Sequence, residues 1–257
     1  MAVRIAVLSD THGVLPTLEA VLDEPDVQSA DLGVVTGDLS AGPQPTQVLD
    51  RLVALGDRVR LVRGNADRDL VTIARGGQPP AGTPAVDLWA AAQLTPAHVE
   101  LLAHLPHPLV VPLDGVGDVL FCHGTPRDDN EVVLVDTRPS RWLEVLADVP
   151  DSVRVVCGGH THTPYARQVD RRWVVNSGST GMPYGAPGVP WLFLDSRGVQ
   201  LRTTAVDPRR VADDIISGSS LPEVRAWVDR YVLAPPSDLE AVRAFGERDG
   251  RAPGWDD

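Results

Sequence analysis

The sequence predicts an α/β protein with a largely parallel sheet, on three observations. Short Val/Leu/Ile-rich runs at 3–8, 32–36 and 59–63 have strand length. Helix-like stretches near 16–23 and 44–55 fall between them, and alternation of this kind is the signature of parallel strands joined by helices. Acidic and polar residues collect just after each apolar run, at the C-terminal ends of the strands, where α/β folds carry their functional groups.

The rest of the chain extends this pattern. Residues 76–85 are a Gly/Pro loop, followed by helix-like stretches near 86–92 and 96–104. Thr95 stands as N-cap of the second, with Pro96 at its first helical position. The segment 76–107 interrupts the strand series and reads as an insertion that forms a cap or wall. Strand signals resume at 108–113 and 117–122, joined by the hairpin turn Asp114-Gly115-Val116-Gly117. A helix near 139–148 leads to a strand at 153–157. The runs 165–169, 172–176, 190–195 and 199–206 read as a meander in a second sheet.

After Val206 the character becomes helical. Asp207-Pro208 opens one helix, and Ser220/Glu223 and Ser237/Glu240 both have capping-box spacing. Leu221, Val224, Val228 and Tyr231, with Trp227 beside them, form an apolar stripe expected to dock on the core, with a partner-binding face as the lesser reading. Residues 248–257 are expected to be loose. The expected organisation is one domain over 1–257, with a helical extension over 207–246.

Composition narrows the function classes. The 257 residues, 43% hydrophobic, suffice for one large core and argue against general disorder. Apolar runs are too short to span a bilayer, so no membrane partner is expected. The N-terminus enters a strand at once, so no signal peptide is expected. Two cysteines, Cys122 and Cys157, argue against a disulfide scaffold and for a reduced, cytoplasmic setting. A net charge of −12 opposes binding of duplex nucleic acid, yet leaves room for a phosphoester in a local positive pocket.

Five apolar runs end in metal-ligand residues: Asp10-Thr11-His12, Gly37-Asp38, Gly64-Asn65, His123-Gly124 and Gly158-Gly159-His160-Thr161-His162. Side chains two apart on a strand share a face, so Asp10 with His12, and His160 with His162, each make a two-toothed clamp. Carboxylate, imidazole and amide oxygen together suit Mn, Fe, Zn or Ni. Any one of these short motifs arises by chance in many chains; the ordered set of five does not. The glycines before Asp38, Asn65 and His160 suit sharp turns that thrust a side chain out of the sheet.

The ordered set D-x-H, G-D, G-N, H, G-H-x-H resembles the calcineurin-like metallophosphoesterase superfamily over about residues 3–180. Gly64-Asn65-Ala66-Asp67-Arg68 and His123-Gly124-Thr125-Pro126-Arg127 look most like its small bacterial and archaeal phosphodiesterase branch. The resemblance implies a four-layer α-β-β-α sandwich of two mixed sheets with two divalent metals at the strand ends, manganese favoured. It implies that Asp10, His12 and His162 hold one ion, that Asn65, His123 and His160 hold the other, and that Asp38 bridges them. A hydroxide between the ions would then attack phosphorus in line, with Asn65, Asp38 and Asp67 as the catalytic set. Asn65 would also donate its amide N–H to the phosphate.

One position departs from the pattern. Many relatives place a histidine directly after the asparagine to protonate the leaving group; here it is Ala66, with Asp67 retained. General acid help is worth about 10²–10⁴-fold, so esters with good leaving groups are favoured. Each of His98, His104 and His107 either folds back over the site or is an ordinary surface or helix-end residue. Arg68 and Arg127 flank ligand positions and either grip phosphate or pair with Asp67, Asp128 or Asp129.

The expected function is therefore hydrolysis of a small phosphoester, nucleotide-like esters included, with a phosphodiesterase ahead of a phosphomonoesterase or phosphoprotein phosphatase. A non-catalytic scaffold, as in the retromer subunit of this fold, is the alternative from a different class. A repair-type nuclease ranks behind both. The sequence leaves the oligomeric partner open.

Overall fold

The structure, a computed structural model, describes residues 3–250. The first sheet is built on β1 (Ile5–Leu8), which pairs in parallel with β2 (Leu32–Val35), itself parallel to β3 (Val59–Leu61). On the other side of β1 lie β9 (Val189–Asp195) and β10 (Gly198–Thr204), an antiparallel hairpin. The second sheet runs β4 (Leu109–Leu113), β5 (Gly117–Phe121), β6 (Val153–Gly158), β8 (Arg172–Asn176), β7 (Tyr165–Val169). Its central strands β5, β6 and β8 are parallel, and its edge strands are antiparallel.

Strand alternation sorts the side chains into layers. Ile5, Val7, Val34, Leu192 and Leu194 point inward and meet Val119, Phe121, Val155, Cys157 and Val175 of the second sheet. Ala6, Leu8, Val35 and Phe193 point outward, into a cluster with helix residues. Those helices are α1 (Leu15–Leu22), the single turn α2 (Pro25–Gln28), α3 (Pro45–Ala54), α4 (Asn65–Ala74), α5 (Ala85–Gln93) and α6 (Pro96–Ala103). On the far side, α7 (Pro139–Val145) packs Trp142 and Val145 on Leu120, Val156 and Val174. The result is the four-layer α-β-β-α sandwich expected.

The runs read as one meander divide between the sheets. β7 and β8 stay in the second, whereas β9 and β10 return to the first. The reason lies in β9, which is buried along its whole length. A strand apolar on both faces needs cover on both, and the place beside β1, between the inner core and the helices, supplies it. The crossing loop between β8 and β9 passes the ends of β1 and β6. α4 is a further difference, because its first turn holds polar site residues that mask its period. Ala66 and Leu70 still face inward at helical spacing.

The tail docks on the fold. α8 (Pro208–Gly218) is capped by Asp207, which accepts the N–H of Arg209 at 2.9 Å. Leu221, Trp227 and Val228 are buried against Val14, Val211 and Ile215. The Ser220/Glu223 box does not form: Glu223 is left-handed, with φ 59°, and the short α9 (Val224–Val228) begins only after it. The box at Ser237/Glu240 does form and heads α10 (Asp238–Gly246). Of the segment expected to be loose, residues 248–250 are held by contacts to the body and 251–257 lie outside the described residues. No described helix is long and apolar enough to cross a membrane.

Candidate metal centre

All five ligand-bearing segments follow the C-terminal ends of β1, β2, β3, β5 and β6, and the sandwich brings these ends together. Main-chain hydrogen bonds brace one segment on the next. The N–H groups of Asp10 and His12 donate to the carbonyls of Gly37 and Asp38 at 3.0 and 2.9 Å. Gly159 N–H donates to the His123 carbonyl at 2.8 Å, which ties the two strand ends of the second sheet. The N–H groups of Thr180 and Gly181 donate to Ser9 and Asp10, so the crossing loop closes the ring.

Two clusters result that could each hold a metal ion: Asp10, His12 and His162, and Asp38, His123 and His160. In the first, His12 Nε2 and His162 Nε2 are 3.0 Å apart, and Asp10 Oδ1 is 3.2 Å from His162 Nε2. In the second, His123 Nε2 is 3.2 Å from Asp38 Oδ2. Both carboxylates lie between the clusters: Asp38 Oδ2 is 3.8 Å from His12 Nε2, and Asp10 Oδ1 is 3.9 Å from His123 Nε2. The other oxygen of Asp10 is occupied by the Ser9 hydroxyl and the His160 N–H.

The rings are oriented as metal-binding histidines are. His12, His162 and His123 each direct Nδ1 at a main-chain carbonyl, of Ala41 (3.1 Å), Met182 (2.9 Å) and Thr36 (2.7 Å). A carbonyl only accepts, so Nδ1 carries the hydrogen and Nε2 of the neutral ring presents a lone pair. His12 and His162 therefore set lone pair against lone pair, a gap that calls for a cation. Against burial, the Asp38 and Asp10 carboxylates raise His123 to about 10, so its Nε2 faces Asp38 with a proton that a metal would displace. Two buried atoms also lack a hydrogen-bond partner, His123 Nε2 and Asn65 Oδ1. Both are donor atoms suited to a first-row divalent ion, and the set fits two such ions.

Electrostatics agree. Burial would raise the Asp38 carboxyl, but the facing His123, with His12 and His160, holds it well below the usual range. Asp10 is lowered in the same way, burial being outweighed by His123 and His162. Burial pushes His160 down to about 3, with the charge of His123 adding. His160 thus stays neutral and able to donate a lone pair.

The backbone is strained at the same residues. Asp10, His12, Asp38, His160 and His162 have φ of 52°, 43°, 52°, 68° and 59°. The left-handed region costs an L-residue roughly 1–2 kcal/mol, and strain of this kind concentrates at functional sites. Of the three glycines expected to make turns, Gly37 has φ +98°, whereas Gly64 is extended at φ −98°. A Cβ at Gly64 would fall on the Asp38 carboxylate, and one at Gly159 on that of Asp10.

The other sequence candidates lie as follows. Asp67 is buried and accepts the N–H groups of Asp38 (2.9 Å), Leu39 (2.9 Å) and Gly64 (2.8 Å), pinning two ligand turns together. Burial and the Asp38 charge push its pKa up to about 7, while those N–H donors pull it back. Ala66 is buried beside it and donates its N–H to Asp38 Oδ1 at 2.8 Å. Arg68 is engaged by Asp129 and Asp69, and Arg127 by Glu131 and Glu144. His98 pairs with Asp50 at 2.9 Å and His104 with the Glu100 carbonyl at 2.8 Å, both away from the clusters. Burial pushes His107 down to about 4, and its Nε2 has no partner. Cys122 and Cys157 are free and buried on opposite faces of the second sheet, in neither cluster.

Four residues near the clusters escaped the sequence reading. The rings of Tyr184 and Phe245 lie 5.1 Å from His162 and 5.8 Å from His160. Arg248 Nη2 is 3.2 Å from His160 Nε2. Asp87, on α5, has its pKa pushed up to about 7 by burial, with the charges of Asp38 and Asp69 adding. No motif marks any of them; tertiary packing alone brings them in.

No curated protein matches the chain. Among solved structures it is similar to a metallophosphoesterase from Sphaerobacter thermophilus, 22% identical, with 90% of this chain and 98% of that one covered and a TM-score of 0.70. It is also similar to a hypothetical protein from Pyrococcus horikoshii, 19% identical, covering 88% and 97% of the two chains with a TM-score of 0.73. These likenesses show the fold. The family model described as calcineurin-like phosphoesterase superfamily domain matches residues 3–196, which span all five ligand-bearing strand ends. The chain belongs to the calcineurin-like phosphoesterase superfamily.

Proposed function

We propose that the chain is a two-metal phosphodiesterase of the kind found in the small bacterial and archaeal branch of the superfamily, acting in the cytoplasm on a small phosphoester, nucleotide-like esters included. The observation that carries this reading is the pair of facing Nε2 atoms of His12 and His162, 3.0 Å apart with both Nδ1 atoms committed to carbonyls. In this reading Asp10, His12 and His162 would hold one ion and Asn65, His123 and His160 the other, with Asp38 serving both. Manganese is the favoured metal. What the ions supply when bound is Lewis acidity toward a phosphoryl oxygen and a lowered pKa for water.

The chain's own residues do the rest. The carbonyls of Ala41, Met182 and Thr36 fix the tautomers, so no reorganisation is needed when a ligand arrives. Asp67 holds the turns that carry Asp38 and Asn65 in register, a positioning role within the catalytic set. Asn65 has an amide N–H to offer a phosphoryl oxygen. Ala66 offers the leaving group no proton, which favours esters whose leaving group departs unaided. Val86 and Trp89 of α5 pack in the cluster that holds Val14 and Met182, so the segment 76–107 serves as a side wall to the site. The −12 charge keeps duplex nucleic acid away.

Hydrolysis of bis-p-nitrophenyl phosphate beside p-nitrophenyl phosphate, with Mn²⁺ or Ni²⁺ added, tests the proposal. Faster turnover of the diester supports it, and faster turnover of the monoester makes the chain a phosphomonoesterase. Metal-loaded protein inert toward both would return the scaffold reading.

A further inference from the structure

A phosphoester site needs a cation to take the phosphoryl oxygens that face away from the metals. Neither arginine beside the ligand motifs is free for this. Arg127 is held by Glu131 at 2.7 and 2.9 Å and by Glu144 at 3.1 Å. Arg68 lies in an ion pair with the buried Asp129, which Arg63 shares at 3.0 Å.

The cation that reaches a cluster comes from the far end of the described chain. α10 is anchored at its start where Gly185 N–H donates to the Pro236 carbonyl at 3.1 Å, in the loop that carries Tyr184 beside His162. Past its end, Asp249 accepts the Thr137 hydroxyl at 2.6 Å. Between these anchors the helix passes the clusters, with the Phe245 ring 5.8 Å from His160. Arg248 lies over that ring, 5.6 Å from its centroid. Its Nη2 donates to the carbonyl and side-chain oxygens of Asn130 at 2.9 and 2.7 Å, and to His160 Nε2 at 3.2 Å. Within the described residues it pairs with no carboxylate, and Nε and Nη1 make no hydrogen bond.

The contact with His160 cannot survive metal binding. If the ring binds metal through Nε2, the lone pair that Arg248 uses is taken. If it binds through Nδ1, Nε2 carries the hydrogen and two donors face each other. Either way Arg248 loses an acceptor at the edge of the second cluster, while Phe245 and Asn130 still hold it there. An anionic oxygen placed between these groups restores what is lost.

We propose that Arg248, carried by the C-terminal helix, is the substrate-binding residue that grips a phosphoryl oxygen of the ester at the Asp38–His123–His160 cluster. This rests on the phosphoesterase reading above. The test is calorimetric titration of manganese-loaded protein with inorganic phosphate, with manganese content, thermal midpoint and ester hydrolysis measured on the same samples. Arg248→Gln keeps a donor for Asn130 but removes the charge, and Arg248→Lys keeps the charge without the fork. The expected result is phosphate affinity about ten-fold weaker in R248Q and intermediate in R248K. The KM for bis-p-nitrophenyl phosphate should rise in parallel, with manganese content and thermal midpoint unchanged. Phosphate affinity in R248Q within two-fold of the parent would overturn the assignment. A parent protein that binds phosphate but hydrolyses neither ester would sink the phosphodiesterase reading, and the affinities would still decide Arg248. Failure of the loaded parent to bind phosphate would overturn both.

Discussion

His12 and His162 face each other across 3.0 Å with the nitrogen of each ring that lacks a hydrogen, because each Nδ1–H is spent on a main-chain carbonyl. Two lone pairs at that distance repel unless a cation lies between or beside them. A cation held by both rings makes that contact favourable. Adding Mn²⁺ should therefore raise the thermal midpoint by several degrees, since a ligand specific to the native state stabilises by mass action. The increment should shrink sharply in His162→Ala, because the first cluster is left with two of its three groups. Equal increments in both proteins would place the ion elsewhere.

Asp67 predicts a loss of stability that does not depend on metal. Its carboxylate accepts three buried N–H groups from the two turns that carry Asp38 and Asn65. Asp67→Asn keeps the shape but turns an NH₂ toward at least one of those donors. Leaving a buried donor unsatisfied costs about 1–3 kcal/mol. Denaturant unfolding of the metal-free variant should show a loss of that size, and hydrolysis should fall as the turns loosen. Unchanged stability would mean that Asp67 does not brace the turns.

Asp87 predicts a pH effect of definite sign. Its folded pKa is raised to about 7, from an ordinary 3.8, mainly by burial. In the metal-free protein the folded state keeps a proton between these values that the unfolded state releases. Stability from this group is full below pH 4 and is lost as pH rises through about 7. Asp87→Asn removes the penalty, so it should raise the thermal midpoint at pH 8 and change it little at pH 4. The same shift at both pH values would show that the carboxyl ionises normally.

Much of this site was legible because its signals are local. D-x-H, G-D, G-N and H-x-H each sit at the end of an apolar run, and the alternation of runs and helices places those ends on one side of a sheet. What stayed hidden depends on packing between distant segments. β9 returns to the first sheet because both its faces are apolar, a property that a run of seven residues does not assign to a neighbour. The turns were expected to put their strain on glycine, and Gly37 obeys, yet the left-handed residues are mainly the site residues themselves. Gly64 and Gly159 serve close approach instead, leaving room for Asp38 and Asp10. Arg248 gave no signal, since only the docking of α10 carries it to His160.

Elemental analysis after dialysis against Mn²⁺ decides whether Asp38 serves a pair of metal ions. Asp38 Oδ2 lies 3.2 Å from His123 Nε2 and 3.8 Å from His12 Nε2, within reach of both clusters. About two manganese ions per chain are expected in the parent protein, and a clear loss of metal from Asp38→Asn together with loss of ester hydrolysis. A parent chain that retains no manganese, or an Asp38→Asn chain that keeps both its metal and its activity, would contradict the two-metal reading.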